Sequence, residues 1–223
     1  MNYFSEIFGL ITKGDPHTEN GGLFLAHYMV LRMMLGMPIS VDEYQIYQAK
    51  MANSFVQYGL YLRSKEHQTR TVSQDEQTGF SIGSFILDTS HRFQIWKYLV
   101  EHWFNYPATG TPKYYNPGSY YAWAVLADSK ISWVFAPLYT VNLLISSNKP
   151  ASDTSSKLIY MDELYCMKGK SWYAKLLWSY YEWRMEKMYG AKWIKSLYDI
   201  YFGGEDMNHP LRQLVEQLYV EHI

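Results

Sequence analysis

Apolar residues recur along the chain at the three- and four-residue spacing of helices, and β-branched alternation is scarce. Leu23, Ala26, Val30, Leu31 and Met34 form one face that stops at Gly36, with Pro38 just beyond, so helix one is expected over about 21–35. Ser40 and Glu43 make an S-x-x-E capping box, in which the hydroxyl accepts from the N3 amide and the carboxylate reaches back; Ile39 stands at the staple position. Helix two is expected from there to about Ser64. A second box, Ser73 with Glu76, opens helix three, whose apolar run is Phe80 to Leu87. Phe93, Trp96, Tyr98, Leu99 and Trp103 give helix four an apolar face from about His91 to Phe104.

The stretch NYPATGTPKYYNPGS carries three prolines and two glycines and reads as an irregular loop. A short helix five follows over about 119–127, and helix six is expected from Asp128 as N-cap to about Ser147, kinked at Pro137. Helices seven (about 153–167), eight (171–189) and nine (191–202) are parted by Gly169 and Gly190, and helix ten begins beside Asn208 and Pro210. No repeat, heptad run or linker divides the chain, so residues 1–223 are expected to form one all-α domain of about ten helices. Short connections favour antiparallel neighbours. The apolar helices one, three and seven alternate with the more charged two, four and eight, which suggests hairpins with one helix inside and one outside. That is an α/α-toroid-like arrangement, open or incomplete; an orthogonal bundle would give similar periodicity.

Composition narrows the function classes. Twenty basic and 21 acidic residues leave a net charge of −1 without blocks of either sign, so electrostatic capture of nucleic acid is not expected. The single cysteine, Cys166, excludes an intramolecular disulfide and a cysteine-rich zinc site, and its place within helix seven reads as a buried structural thiol. The most apolar stretch, Ile131 to Ile145, is broken by Pro137 and Asn142 and falls short of the roughly 20 residues of a membrane span. The opening MNYFSEIFGL has an acid and no basic region, so no signal peptide is expected. The 22 Tyr, 10 Phe and 8 Trp exceed what a core of this size requires, so part of them should lie at the surface, with Tyr114, Tyr115, Tyr120, Tyr121 and Trp123 as a candidate stacking surface.

If inner and outer helices alternate, the starts of helices one, three and five share one face. The loops there bring together Glu19, Asp75 and Glu76 as candidate catalytic acids. His17, Asn20, His91, Tyr114 and Tyr115 are candidate substrate-binding groups. Glycoside cleavage needs two carboxyls about 5 to 5.5 Å apart for retention or about 6.5 to 9.5 Å for inversion, one of them kept protonated by burial. Glu19 against Asp75 or Glu76 is the favoured pair, because acids on separate loops can face each other across a cleft. Asp75 and Glu76 equally suit a purely structural role in a first helical turn, where the helix dipole favours acids. No metal or cofactor is expected: His91 and His102 are roughly 16 Å apart along one helix, and no phosphate loop is present.

TENGGLFLAHY (18–28), SQDEQTGFSIG (73–83) and YFGGEDMNHPLRQL resemble all-helical proteins encoded by tailed bacteriophages, and the general cast is similar to the six-hairpin α/α-toroid of glycoside hydrolases and polysaccharide lyases. A complete ring needs twelve helices, so ten would leave it open. The resemblance implies a virion-associated protein, made in the host cytoplasm, that binds and cleaves a host surface glycan. The alternatives are a non-enzymatic structural component packed against other virion subunits, and a lysozyme-like muramidase. The last rests on Glu66, Asp75 and Ser81, whose spacing resembles that of small phage lysozymes.

Overall fold

The computed structural model of the chain describes residues 21–61, 74–108, 111–114, 117–201, 211 and 215–217. Nine α-helices lie among them: α1 (Gly21–Met34), α2 (Val41–Ser54), α3 (Gln74–Ile86), α4 (His91–Glu101), α5 (Tyr120–Leu126), α6 (Ala136–Asn148), α7 (Ser155–Met167), α8 (Trp172–Tyr189) and α9 (Trp193–Tyr201). Two short antiparallel hairpins interrupt them, β1 (Phe55–Gln57) with β2 (Leu60–Tyr61) and β3 (Asn105–Ala108) with β4 (Thr111–Tyr114). The fold is all-α. Burial alternates along the chain: α5 is buried at every position and α1 at ten, whereas α6 and α8 bury only single faces. Buried positions of all nine helices belong to one continuous core.

The Ser40–Glu43 capping box forms as expected, with the Ser40 hydroxyl accepting from the Glu43 amide and the Glu43 carboxylate accepting from the Ser40 amide. Helix two, however, ends at Ser54 rather than near Ser64. Phe55 turns extended and the chain reverses through Gly59, whose φ of +80° disfavours a side chain. A Cβ there would also stand 2.2 Å from the Gln94 carbonyl oxygen, so both backbone shape and packing select glycine.

Part of the proline-rich stretch is paired, not irregular: Asn105 lies opposite Tyr114, and Pro107 opposite Pro112. A two-stranded ribbon consists only of edges, which is where proline is tolerated in a ladder. Helix six starts later than expected. Asp128 adopts φ of +52° and closes α5 instead of opening α6, its amide donating to Val125 O and the Ser129 amide to Ala124 O in a Schellman pattern. A 3-10 turn over Ser132–Phe135 then leads into α6, where Pro137 occupies the first turn, the position at which its missing amide breaks no bond within the helix, and not the helix interior.

The aromatic expectation is corrected as well. Tyr120, Tyr121 and Trp123 are buried, with the Trp123 indole donating to Thr78 Oγ1 at 3.1 Å, so they are packing residues and not a stacking surface. The exposed large rings lie elsewhere, at Trp103, Trp133, Trp172 and Trp183. Cys166 is buried, and its surroundings push the thiol well above its usual range, so it is inert as a nucleophile. No helix among the described residues is long and apolar enough to cross a membrane.

Candidate active site

α1 and α3 cross at two glycines. A Cβ on Gly79 would stand 2.4 Å from the backbone of Gly22, so the helices touch main chain to main chain. This approach brings the Glu76 carboxylate to the open N-terminus of α1, where it accepts from the Gly22 amide at 2.9 Å. A carboxylate satisfies the orphan amides and complements the positive end of the helix. Lys50 Nζ of α2 lies 3.2 Å from the same carboxylate, with both side chains fully buried. Burial pushes the Glu76 carboxyl up to about 7, although Lys50 and the amides of Gly22 and Leu23 pull it down. Glu76 therefore joins three helices, its carboxylate held between the Gly22 amide and Lys50.

The rest of the first turns of α3 is also occupied by packing. The Gln77 amide donates to Tyr61 O, Thr78 holds the Trp123 indole, and Tyr47 OH donates to Phe80 O at 3.0 Å. Asp75, like Gln74 before it, is half-buried. His91, at the start of α4, is half-buried; its Nδ1 stands 3.1 Å from Thr89 Oγ1, its ring lies against Tyr47 and Tyr61, and burial lowers its pKa. Tyr114 ends β4. Glu19, His17, Asn20 and Tyr115 lie outside the described residues, as does Glu66 of the lysozyme-like set, whose Ser81 is buried.

An acid not singled out from the sequence completes the cluster. Glu163 of α7 is fully buried, and neither of its carboxylate oxygens closes a hydrogen bond of ordinary geometry with the described residues. The Tyr139 and Ser119 hydroxyls nevertheless stand close enough to favour its charged form, while the charges of Asp162 and Asp75 oppose it. Burial outweighs the hydroxyls and pushes the carboxyl up to about 8. Its neighbour Asp162 turns to the other side and pairs with His27 Nδ1 in a fully buried couple. The starts of α1 and α3 meet where the Gly22 amide donates to Glu76, and Asp75 and Ser119 both influence the titration of Glu163. A signal was present in the segment KLIYMDELYCM, where two adjacent acids sit inside an apolar helix and at least one must point inward.

Burial of Glu76 and Glu163 makes stability fall with pH. Both acids hold their protons more tightly folded than unfolded, so their contribution is complete below about 4.5 and is lost as the pH rises through about 7 and about 8. Urea midpoints measured at intervals from about pH 5 to about pH 9 should decline across this window, and Glu163→Gln should remove the part of the decline nearest pH 8. An unchanged profile in the variant would show that Glu163 does not titrate there.

Among the described residues no group of three His, Cys, Asp or Glu side chains could hold a metal ion. The chemistry available is that of a buried carboxyl pushed up to about 8, on which the charge of Asp75 also acts. No protein-family model, no curated protein and no solved structure matches this chain.

Proposed function

We propose that the chain is a virion-associated bacteriophage protein, made in the host cytoplasm, that binds a host surface glycan and cleaves it at the Asp75–Glu163 pair. The observation that carries this reading is Glu163, a buried carboxyl without a well-formed hydrogen-bond partner and within electrostatic reach of a second acid. With a pKa near 8 it is protonated at neutral pH, as a general acid must be. Glu163 gives its proton to the departing glycosidic oxygen as the C–O bond breaks. Asp75, half-buried, attacks the anomeric carbon or takes a proton from the attacking water. The α/α-toroid arrangement belongs to the same proposal and is supported by the alternation of deeply buried and single-faced helices.

The test is release of reducing ends from purified host surface polysaccharide. Glu163→Gln and Asp75→Asn should each lower it by about a hundredfold or more, with the fold unchanged by circular dichroism. Full activity in both variants would clear the pair of a catalytic role.

A second reading, a non-enzymatic structural component, is favoured by a different observation. α6 and α8 run side by side, joined by Thr140 with Tyr173 at 2.6 Å and by Arg184 Nε with Asn148 Oδ1 at 3.2 Å. Both turn apolar residues outward, Leu138, Val141 and Ile145 from one helix and Leu176 and Trp183 from the other. Such a face suits a neighbouring virion subunit. Absence of any cleavage by the unmodified chain would leave this reading in place of the hydrolase.

A further inference from the structure

The loop that closes α5 and the start of α8 enclose an open cleft of about 270 Å³. It is one length of α5, roughly 10 Å, from the Ser119 end of that helix, and none of the acids of the candidate active site lines it. Val125 lies among its walls, Asp128, Ser129, Ser132, Lys170 and Ser171 supply its polar groups, and Trp172 stands at its edge. The Trp172 side chain is 80% exposed. Its ring meets Tyr173 edge to face at 5.7 Å, which holds the indole upright while leaving most of it to solvent. Asp128 is fixed in its left-handed conformation by the Schellman bonds that end α5, and its carboxylate meets Lys170 Nζ at 2.9 Å.

We infer that this cleft is a binding site for a single pyranose ring, with Trp172 as the stacking platform. Three observations select that ligand. A cleft smaller than the roughly 300–1,000 Å³ of drug-sized ligands has room for about one ring. Trp172 offers an apolar face of the size of the C–H face of a sugar. The polar groups comprise a pure acceptor, a pure donor and three serine hydroxyls that do either, of which Ser171 already meets Tyr121 OH; this is the mixture that vicinal hydroxyls need. An anion is a poorer fit, because the Asp128 carboxylate neutralises the ammonium of Lys170, whereas a neutral hydroxyl can use the pair's remaining donors and lone pairs. The site is independent of the hydrolytic reading: it uses none of the same residues and requires no bond to be broken.

Saturation-transfer difference NMR on the full chain tests it with methyl glucoside, methyl galactoside and N-acetylglucosamine as probes. At least one should receive saturation on its ring protons. Trp172→Ala should weaken that binding by about tenfold, and Trp172→Phe should restore part of it. Trp183→Ala removes an exposed tryptophan outside the cleft and should change nothing. The proposal is overturned if none of the three sugars receives saturation, if Trp172→Ala binds as well as the parent, or if Trp183→Ala loses binding equally. In the last case the apolar face of α6 and α8, and not the cleft, would hold the sugar.

Discussion

Glu76→Ala will destabilise the protein by about 3–5 kcal/mol, a large part of the roughly 5–15 kcal/mol that holds a domain of this size together. The cause is double. The substitution leaves the ammonium of Lys50 fully buried without its carboxylate, and it takes the acceptor at 2.9 Å from the Gly22 amide at the start of α1. Urea denaturation followed by far-ultraviolet circular dichroism gives the measurement. The paired variant Lys50→Met with Glu76→Leu should recover much of the loss, because exchanging a whole buried ion pair for apolar groups of similar volume costs far less than stranding one charge. A single variant as stable as the parent would show that the carboxylate does not support Lys50 and α1.

Gly79→Ala will cost about 3 kcal/mol, at or beyond the upper end of ordinary overpacking. The added methyl meets Gly22 C and O at 2.4 Å and Leu23 N at 2.5 Å; these are backbone atoms of α1, and no rotamer change can make room. The helices must separate, which also stretches the bond from the Gly22 amide to Glu76. Gly169→Ala is the control. Nothing lies within 4 Å of its added Cβ, so it should alter stability by less than about 1 kcal/mol. Equal melting of the two variants would mean that α1 and α3 tolerate separation.

The first of these predictions comes from the set of ionisable groups in the core. Lys50, Glu76, His27, Asp162 and Glu163 are all buried on four different helices. An apolar core would be simpler and at least as stable, since burying an ion pair returns little net energy. Glu76 and Asp162 each meet a partner, Lys50 and His27; among the described residues Glu163 is the acid of this set with neither oxygen in a hydrogen bond of ordinary geometry, and that difference makes it the candidate chemical group.

The helical class, most helix starts and the breaks after α7 and α8 were legible from local information. Periodicity, the Ser40–Glu43 box and the glycine at position 190 act within a few residues of themselves, so the chain's own order of residues determines them. The inert character of Cys166 was equally readable from its apolar neighbours. Asp75 was singled out from its place at a helix start, whereas Glu163 was not. What the tertiary structure decided is where each acid points and what meets it. Glu76 could have capped its own helix, but the contact of Gly79 with Gly22 gives it the amides of another one. Glu163 lies 88 positions beyond Asp75 (163 − 75), and no spacing rule joins them until α7 packs beside α3. Asp128 looked like the start of a helix and became the end of one, because both uses favour the same short polar side chain and only the backbone dihedral tells them apart. Local patterns of caps and periods thus determined the elements, whereas the desolvation that shifts a carboxyl comes from residues distant in the chain and exists only once the helices are packed.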